Sequence, residues 1–428
     1  MDELRATIES VFRRESGRIV ASLIRFSHSF DLAEEAMQDA FAAALGHWGA
    51  KGIPENPAAW LTAAAQRKLI DYLRRGRTER IHEDHLRYES STSTRQQDLD
   101  LEMSFAVKDD RLSLIFTCCH PALNKEAQVA LTLRTLGGLS TPEIARAFFV
   151  PEGTLAQRLV RAKRKIQQAR IPYEVPSAEA LPERLSAVQT VLYLIFNEGY
   201  LASSGDSLVR RELCTEAIRL TRILCELMPE SESLGLLALM LLHDSRRGAR
   251  VSIGGELVPL EEQHRGLWNQ EQIAEGIQLL ESALSRHEVG PYQLQAAIVA
   301  VHAEAKTAAE TDWNQIAALY RELAKVQPST AVALNHAVAV AMSEGLERGL
   351  ALIDAVGSCE GLDSYYMYHA ARADLLRRLL RKAEALDAYR RALSLTTNAV
   401  ERRYLRRRIG EVLEIPPIGG AELNGQTQ

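Results

Sequence analysis

The sequence predicts an all-α protein, and three observations support this. Its 428 residues are 46% hydrophobic but only 6% aromatic, so alanine and leucine supply much of the apolar content. Apolar residues recur at the three- and four-residue spacing of amphipathic helices from the N-terminal segment onward. From about residue 183, one such pattern follows another. At this length, two or three helical domains are expected.

Charge and cysteine content narrow the possible functions. The net charge of −5 argues against a generally basic nucleic-acid coat, so nucleic-acid binding would need local basic patches. We find no signal-peptide pattern and no apolar run of about 18 residues that would span a membrane. The odd number of cysteines forms no disulfide-like framework, which indicates reduced thiols and a cytoplasmic protein. These cysteines are Cys118, Cys119, Cys214, Cys225 and Cys359.

Residues 1–77 predict three helices. In the first, apolar residues recur at helical spacing from Ile8 to Ile24. Asp31 can cap the second helix, whose apolar face includes Phe41, and we expect a loop from Gly46 to Pro57. The other face of the second helix is polar. It carries Glu34, Glu35, Gln38 and Asp39.

The third helix combines aromatic and basic side chains. Trp60 and Tyr72 lie on its apolar side, and its exposed sides carry Arg67, Lys68, Arg74 and Arg75. Rings that stack on bases, next to cations that meet phosphates, suit a single strand of nucleic acid. The alternative is that Trp60 and Tyr72 are ordinary core residues.

A linker and a second helical unit follow. Residues 78–108 lack a clear period and include the run SSTSTRQQDLD, which predicts an acidic flexible linker. Residues 109–172 end in two short helices that meet near Pro151. Ser140 or Thr141 can cap the first of these helices. The second has one apolar stripe, formed by Leu155, Leu159, Ala162 and Ile166.

The opposite side of this last helix is cationic. Two helices joined by a tight turn, with a basic outer face on the second, are typical of a helix-turn-helix that lays its second helix in the major groove. The alternative is a solvated basic helix in an ordinary bundle.

Residues 183–415 predict a C-terminal α-solenoid similar to tetratricopeptide (TPR) repeats. The Ala/aromatic/Ala spacing of the second TPR helix occurs at Ala385, Tyr389 and Ala392. A proline-marked boundary at 171–183 precedes this domain, and residues 416–428 predict a disordered tail. More degenerate matches are Ile316, Tyr320 and Leu323, and Ala217, Thr221 and Leu224.

Three stretches, in order, resemble parts of bacterial sigma factors. AEEAMQDAF (33–41) resembles the region-2 helix that docks on the RNA polymerase clamp. NPAAWLTAAAQRKLIDYLRR (56–75) resembles the helix that engages the −10 element, although the family usually has Asn where this chain has Arg67. STPEIARAFFVPEGTLAQRLVRAKRK (140–165) resembles region 4, which reads the −35 element.

Region 2, a linker and region 4 form the layout of extracytoplasmic-function (ECF) sigma factors. DDRLSLIFTCCHPAL, NEGY and the helical extension further resemble the subgroup with a C-terminal TPR-like domain. The resemblance implies a sigma region-2 helical bundle, a region-4 helix-turn-helix, and core RNA polymerase (clamp and flap) and promoter DNA as partners. It implies no enzyme activity, no cofactor and no membrane association.

The resemblance also implies three sets of site residues. The predicted polymerase-binding residues are Asp31, Glu34, Glu35, Gln38, Asp39 and Phe41. The predicted −10 contacts are Trp60, Arg67, Lys68, Asp71, Tyr72, Arg74 and Arg75. The predicted −35 contacts are Glu152, Thr154, Gln157, Arg158, Arg161, Lys163, Arg164 and Lys165.

The C-terminal domain is expected to regulate these sites. A TPR-like superhelix presents a concave surface for a protein or peptide ligand. Fused to a sigma factor, it would either mask the DNA readers or be required for a competent holoenzyme, and the resemblance favours the second. The alternatives are a ligand- or protein-responsive helix-turn-helix activator and a TPR scaffold without sigma activity.

Other chemistry has less support in the sequence. No phosphate-binding glycine loop, HExxH or nucleophile motif occurs. Cys118, Cys119 and His120 are adjacent, which is poor geometry for zinc, and LIFTCC is typical of a buried helix. His302, Glu304 and the run HDSRRGAR (243–250) could line a pocket. The interpretation favoured for Asp244, Arg246, Arg247 and Arg250 is interhelical salt bridges.

Overall fold

The regular structure of the chain is helical, as predicted. The computed structural model describes residues 2–84, 110–148, 150–201, 210–252, 256–357 and 362–414. Within these ranges it contains 18 α-helices, short 3₁₀ turns and one isolated β-bridge between Val251 and Leu257. The chain divides into two compact units, Met1–Ile195 and Phe196–Gln428.

The first unit begins with three long helices. They are α1 (Asp2–Ser27), α2 (Phe30–Lys51) and α3 (Pro57–Asp84). Ser29, and not Asp31, caps α2: its hydroxyl accepts the Leu32 N–H at 3.3 Å, so Asp31 lies in the first turn.

Helices α2 and α3 are both longer than the sequence predicted. The predicted loop from Gly46 to Pro57 is mostly helix, because α2 continues to Lys51 and ends at Gly52 with φ 85°. Trp48, buried at 2% exposure, anchors this extra turn in the core. Helix α3 continues to Asp84, so the first part of the predicted linker is helical. The remainder of that linker and the predicted tail lie outside the described residues.

Four shorter helices complete the region before residue 170. They are α4 (Arg111–Cys118), α5 (Lys125–Thr135), α6 (Thr141–Ala147) and α7 (Glu152–Gln168). Ser140 and Glu143 form a capping box at the start of α6: the Glu143 N–H donates to the Ser140 hydroxyl, and the Ser140 N–H donates to the Glu143 carboxylate. Helices α6 and α7 are the predicted helix-turn-helix.

Helix α1 packs closely on the turn between α5 and α6. A side chain at Gly17 would lie 2.8 Å from the Leu136 carbonyl oxygen, and one at Gly138 would lie 2.7 Å from the Ser16 hydroxyl. Gly138 also has φ 67°, which favours glycine. The absence of a Cβ at both positions therefore lets α1 contact the helix-turn-helix region directly.

Further contacts join the N-terminal bundle to the rest of the unit. The Tyr173 hydroxyl donates to the Ala21 carbonyl at 2.8 Å, and Arg184 donates to the Phe116 carbonyl at 2.7 Å. Arg25 lies 3.6 Å from the Asp110 carboxylate. The proline-marked segment 171–183 thus supplies part of the first unit and is more than a boundary.

The remaining helices follow one another in sequence, and from Arg211–Leu227 onward each packs on its neighbour along the chain. Ala385, Tyr389 and Ala392 are buried, as a helix-hairpin repeat requires, but the TPR-like character stays a prediction. In the described residues, no helix is both long enough and apolar enough to cross a membrane. The helices are α8 (Leu181–Tyr200), α9 (Arg211–Leu227), α10 (Ser231–Ser245), α11 (Gln270–Leu284), α12 (Pro291–Glu304), α13 (Trp313–Val326), α14 (Thr330–Glu344), α15 (Leu346–Val356), α16 (Tyr366–Arg378), α17 (Lys382–Leu395) and α18 (Ala399–Glu414).

Candidate nucleic-acid and polymerase interfaces

Helix α7 presents most of the predicted −35 residues to solvent. Its apolar stripe is buried at Leu155, Leu159, Ala162 and Ile166, as the spacing predicted. This packing turns the opposite side outward. Glu152, Thr154, Gln157, Arg161, Arg164 and Lys165 are exposed, and Arg158 is half-buried.

A groove runs between α7 and the loop that connects α4 to α5. It has a volume of about 560 Å³, and Leu123 and Asn124 form part of its other wall. Base-edge and phosphate contacts both need polar and cationic side chains within reach of one surface, and the groove provides that arrangement. Five of the predicted −35 residues line it: Thr154, Gln157, Arg158, Arg161 and Lys165.

Lys163 belongs to a different surface. Its ammonium group lies 2.9 Å from the Asp31 carboxylate and 3.1 Å from that of Glu34. A second cavity of about 520 Å³ adjoins these contacts, lined in part by Ile24 and Arg164. A residue predicted to meet phosphates is therefore paired with two residues predicted to meet polymerase.

The polar face of α2 is only partly free. Glu35 and Gln38 are exposed, whereas the side chain of Glu34 is 13% exposed where it meets Lys163. Phe41 is 7% exposed and packs edge-to-face on Phe12, with ring centres 4.9 Å apart. The structure thus places Phe41 in the core, because its side chain points into the bundle and away from the polar face.

Asp39 connects α2 with α3. Its carboxylate accepts the Tyr72 hydroxyl at 2.7 Å and lies 3.5 Å from the Lys68 ammonium group. The hydrogen bond to Asp39 is the main reason that the pKa of Tyr72 rises to about 12, and burial adds to it. Tyr72 therefore stays a neutral donor at physiological pH.

The other predicted −10 residues lie along α3. Trp60 packs against α2, with its ring centre 5.6 Å from that of Trp48 and 5.4 Å from that of His47. It is half-buried, so one part of the ring is a core contact and the rest is accessible. The remaining members are exposed: Arg67, Asp71, Arg74 and Arg75.

The Cys118–His120 segment belongs to the core of the first unit. Both thiols are buried, and burial raises the pKa of Cys119 to about 12 and that of Cys118 well above its usual range. The backbone N–H of Ala122 donates to the His120 imidazole. Among the described residues, no group of three or more His, Cys, Asp or Glu side chains is placed to hold a metal ion.

The favoured interpretation of the HDSRRGAR run is wrong for two of its arginines. Arg247 forms a salt bridge with Asp244 at 3.0 Å, between the end of α10 and the 3₁₀ helix Arg247–Ala249 that follows it. Arg246 contacts His243, and Arg250 donates to the Tyr200 carbonyl. The interhelical partner of Asp244 is the neutral side chain of Gln272.

Comparison with known proteins identifies the two N-terminal parts. Residues 11–79 match sigma-70 region 2, and residues 113–166 match sigma-70, region 4. Residues 184–284 match a family of unknown function (DUF6596). An uncharacterized protein of Rhizobium meliloti (strain 1021) is 43% identical over 400 residues, which cover 93% of this chain and 94% of that protein.

Proposed function

Because the chain belongs to one family with this full-length Rhizobium meliloti protein and carries sigma-70 regions 2 and 4, it is a sigma factor, and we propose that it is of the ECF type. Its sigma domains imply core RNA polymerase and promoter DNA as partners. They indicate a transcription regulator rather than an enzyme. The observation that carries the ECF assignment is the short connection: the match to region 2 ends at residue 79 and that to region 4 begins at residue 113.

The groove along α7 supports a role in −35 recognition. Thr154, Gln157 and Arg158 lie in the first two turns of the helix, where base edges are within reach. Arg161 and Lys165 line the same groove and could meet the phosphates, whereas Arg164 lines the second cavity beside Lys163.

Two substitutions separate base reading from phosphate contact. Arg158→Ala should weaken binding to the cognate −35 element by roughly 1–3 kcal/mol and relax its specificity. Lys165→Ala should weaken binding to all sequences alike and reduce its salt dependence. Equilibrium binding to matched and scrambled duplexes at several salt concentrations measures both effects. Equal losses on the two duplexes for Arg158→Ala would remove it from base recognition.

Helix α3 supports a role in −10 recognition. Its exposed cations lie beside Trp60 and Tyr72, a combination that suits a melted strand. We expect an Arg74→Ala/Arg75→Ala double variant to lose the permanganate signal of the open complex. Charge reversal at Glu35, which is exposed on α2, should reduce binding to core polymerase while the fold survives.

The contacts of Lys163 support a closed state of the free sigma factor. With Lys163 held by Asp31 and Glu34, part of the polymerase-binding face is covered by region 4. Binding to polymerase then requires these ion pairs to open. A two-state arrangement of this kind can be regulated by anything that binds one state better than the other.

We infer that the second unit provides this regulation in cis and is required for activity. It occupies residues from Phe196 onward in the same chain, and the similarity to the Rhizobium meliloti protein extends over 93% of the chain. A protein or peptide ligand on its proposed TPR-like surface would then set the level of transcription.

Run-off transcription with core polymerase on a matching promoter tests the proposed function. We expect a specific transcript that depends on this protein and is lost in the Arg74→Ala/Arg75→Ala variant. A protein that binds promoter DNA but neither core polymerase nor the holoenzyme would be a helix-turn-helix activator. Absence of both a transcript and core binding would reject the sigma assignment.

A further inference from the structure

Three arginines come together in the second unit, in a group that we call the arginine cluster: Arg246, Arg250 and Arg265. Arg250 and Arg246 share one aromatic ring, with their guanidinium carbons 3.6 Å and 5.9 Å from the ring centre of Tyr200. Burial lowers the pKa of both Arg250 and Arg265, and the positive charge of Arg246 lowers both further, which places Arg246 within electrostatic reach of the other two.

Two histidines, His243 and His302, lie next to the arginine cluster. The His243 imidazole lies 3.0 Å from the Arg246 guanidinium, and Arg265 donates to the main-chain carbonyl of His302. Burial and the charge of Arg246 lower the pKa of His302 to about 4 and that of His243 well below its usual value. Both imidazoles are therefore neutral at physiological pH, and the arginines provide the charge.

The described residues compensate this charge only in part. Glu310 acts to raise the pKa of Arg265, whose guanidinium also donates to the Ala305 carbonyl at 2.7 Å and to the Thr311 hydroxyl at 3.3 Å. None of the three cluster arginines lies within 4.0 Å of a described carboxylate. Arg250 is only 7% exposed, and the Nε atoms of Arg246 and Arg265 are buried without a hydrogen-bond partner in the described chain. Burying cations in this way is costly unless an anion compensates them.

Other buried arginines of the same unit show what compensation looks like. Arg408 is paired with Glu262 at 2.7 Å and with Glu411 at 2.8 Å. Arg378 is paired with Asp374 and Glu261, both at 2.7 Å. Each of these structural arginines has two carboxylates.

The carboxylates near the cluster have other partners. Oδ2 of Asp244 pairs with Arg247 and accepts from Gln272, while its buried Oδ1 has no hydrogen-bond partner in the described chain. Glu310 accepts the Thr307 hydroxyl at 3.0 Å. Glu401 accepts the hydroxyl groups of Tyr366 and Thr396. An anion from outside the described chain therefore fits the arginine cluster best.

We propose that the arginine cluster binds a small oxyanion, a phosphate or carboxylate group of a soluble ligand. The planar guanidinium group of Arg246 matches two oxygens of such a ligand, and Arg250 and Arg265 add positive charge beside it. Arg246, Arg265 and His302 are half-buried, which leaves the cluster accessible from solvent. Most of it lies within residues 184–284, the segment that matches a family of unknown function.

Calorimetric titration of the full-length protein tests this site without polymerase, so the result is independent of the proposed function. The probes are inorganic phosphate and malonate at constant ionic strength. We expect saturable binding of at least one probe, at least tenfold weaker in Arg246→Gln and in Arg265→Gln. Arg348→Gln is the matched control, since Arg348 pairs with Glu344 on an exposed helix surface, and it should bind like the parent.

The identity of the probe assigns the ligand class: saturation by phosphate indicates a phosphate group, and saturation by malonate a carboxylate. A bound anion should also raise the pKa of His302 in an NMR titration. Circular dichroism checks that the variants are folded. Failure of both probes to saturate the parent protein, or equal affinity in Arg246→Gln and Arg348→Gln, would overturn the proposal.

Discussion

At the scale of single residues, Lys163 joins helix α7 to the polar face of α2. The proposed function requires these two surfaces to separate when polymerase binds. The ion pair of Lys163 with Glu34 joins side chains that are 16% and 13% exposed, so this pair is screened less than a surface pair, whereas Asp31 is 82% exposed and contributes less. Lys163→Ala should therefore favour the open state and tighten binding to core polymerase by roughly two- to tenfold, or about 1 kcal/mol.

Lys165→Ala is the matched control for this prediction. It removes the same charge from the same helix, but Lys165 is exposed and contacts neither Asp31 nor Glu34. Fluorescence anisotropy of labelled protein with core polymerase, without DNA, compares the two. Equal affinities in Lys163→Ala and Lys165→Ala would show that the ion pairs do not restrain the protein.

His302 gives a pH dependence at the same scale. Its pKa of about 4 in the folded protein lies below the ordinary histidine value, so the unfolded chain takes up the proton first as the pH falls. Above pH 6.5, His302 therefore does not reduce the free energy of unfolding. Between pH 6.5 and 4, the free energy of unfolding falls progressively, by roughly 1–3 kcal/mol.

Melting curves across this pH range measure the effect of His302. His302→Gln should flatten the loss of stability below pH 6.5, whereas His264→Gln, at an exposed position, should leave it unchanged. An unaltered pH profile in His302→Gln would assign the acid sensitivity to other groups, of which His243 is the first to examine.

At the scale of helices, the contact between α1 and the turn after α5 depends on a missing side chain. In Gly17→Ala, the new methyl group would lie 2.8 Å from the Leu136 carbonyl oxygen, a backbone atom that cannot move alone. We expect a loss of about 1–3 kcal/mol in the free energy of unfolding. Gly46→Ala is the control, since its Cβ meets nothing within 4 Å and should stabilise α2 by about 0.5–1 kcal/mol. Thermal denaturation distinguishes them, and equal melting temperatures would contradict the close approach.

The sequence predicted a helix well where one periodic pattern defined both its buried and its exposed face. In α7, the spacing of Leu155 and Leu159 predicted the buried stripe and thereby the exposed basic face. Tertiary contacts explain what was missed. The spacing placed Phe41 on the apolar face of α2, where it packs on Phe12 of α1, but the resemblance also assigned it to the polymerase-binding set. Lys163 has the same local signature as Lys165, and only the position of α2 separates their roles.

The arginine cluster also depends on tertiary contacts, here between residues that are far apart in the sequence. HDSRRGAR was recognisable as a charged run, and ion pairing within it was a reasonable expectation. The structure brings in Tyr200, Arg265 and His302 from three other segments, and no described carboxylate lies within 4.0 Å of the three arginines. Such a juxtaposition depends on the whole unit, so a pattern along the chain could not predict it.

At the scale of the whole molecule, the position of a truncation decides what it tests. A chain that ends at Ile171 loses Tyr173 and Arg184, which hold the first unit through the Ala21 and Phe116 carbonyls. Loss of transcription with that chain could therefore result from destabilised sigma domains and would not test the second unit. A chain that ends at Ile195 keeps both contacts and removes the second unit.

We therefore expect the two truncated chains to differ. The chain of residues 1–195 should bind core polymerase but support little run-off transcription, because the second unit is proposed to be required. The chain of residues 1–171 should also be less stable, and full-length Tyr173→Phe, which removes one hydrogen bond, should lose about 1 kcal/mol in unfolding free energy. Higher transcription by residues 1–195 would instead mean that the second unit masks the sigma domains. If core affinity and transcription both matched those of the full chain, the second unit would have no part in regulating either step.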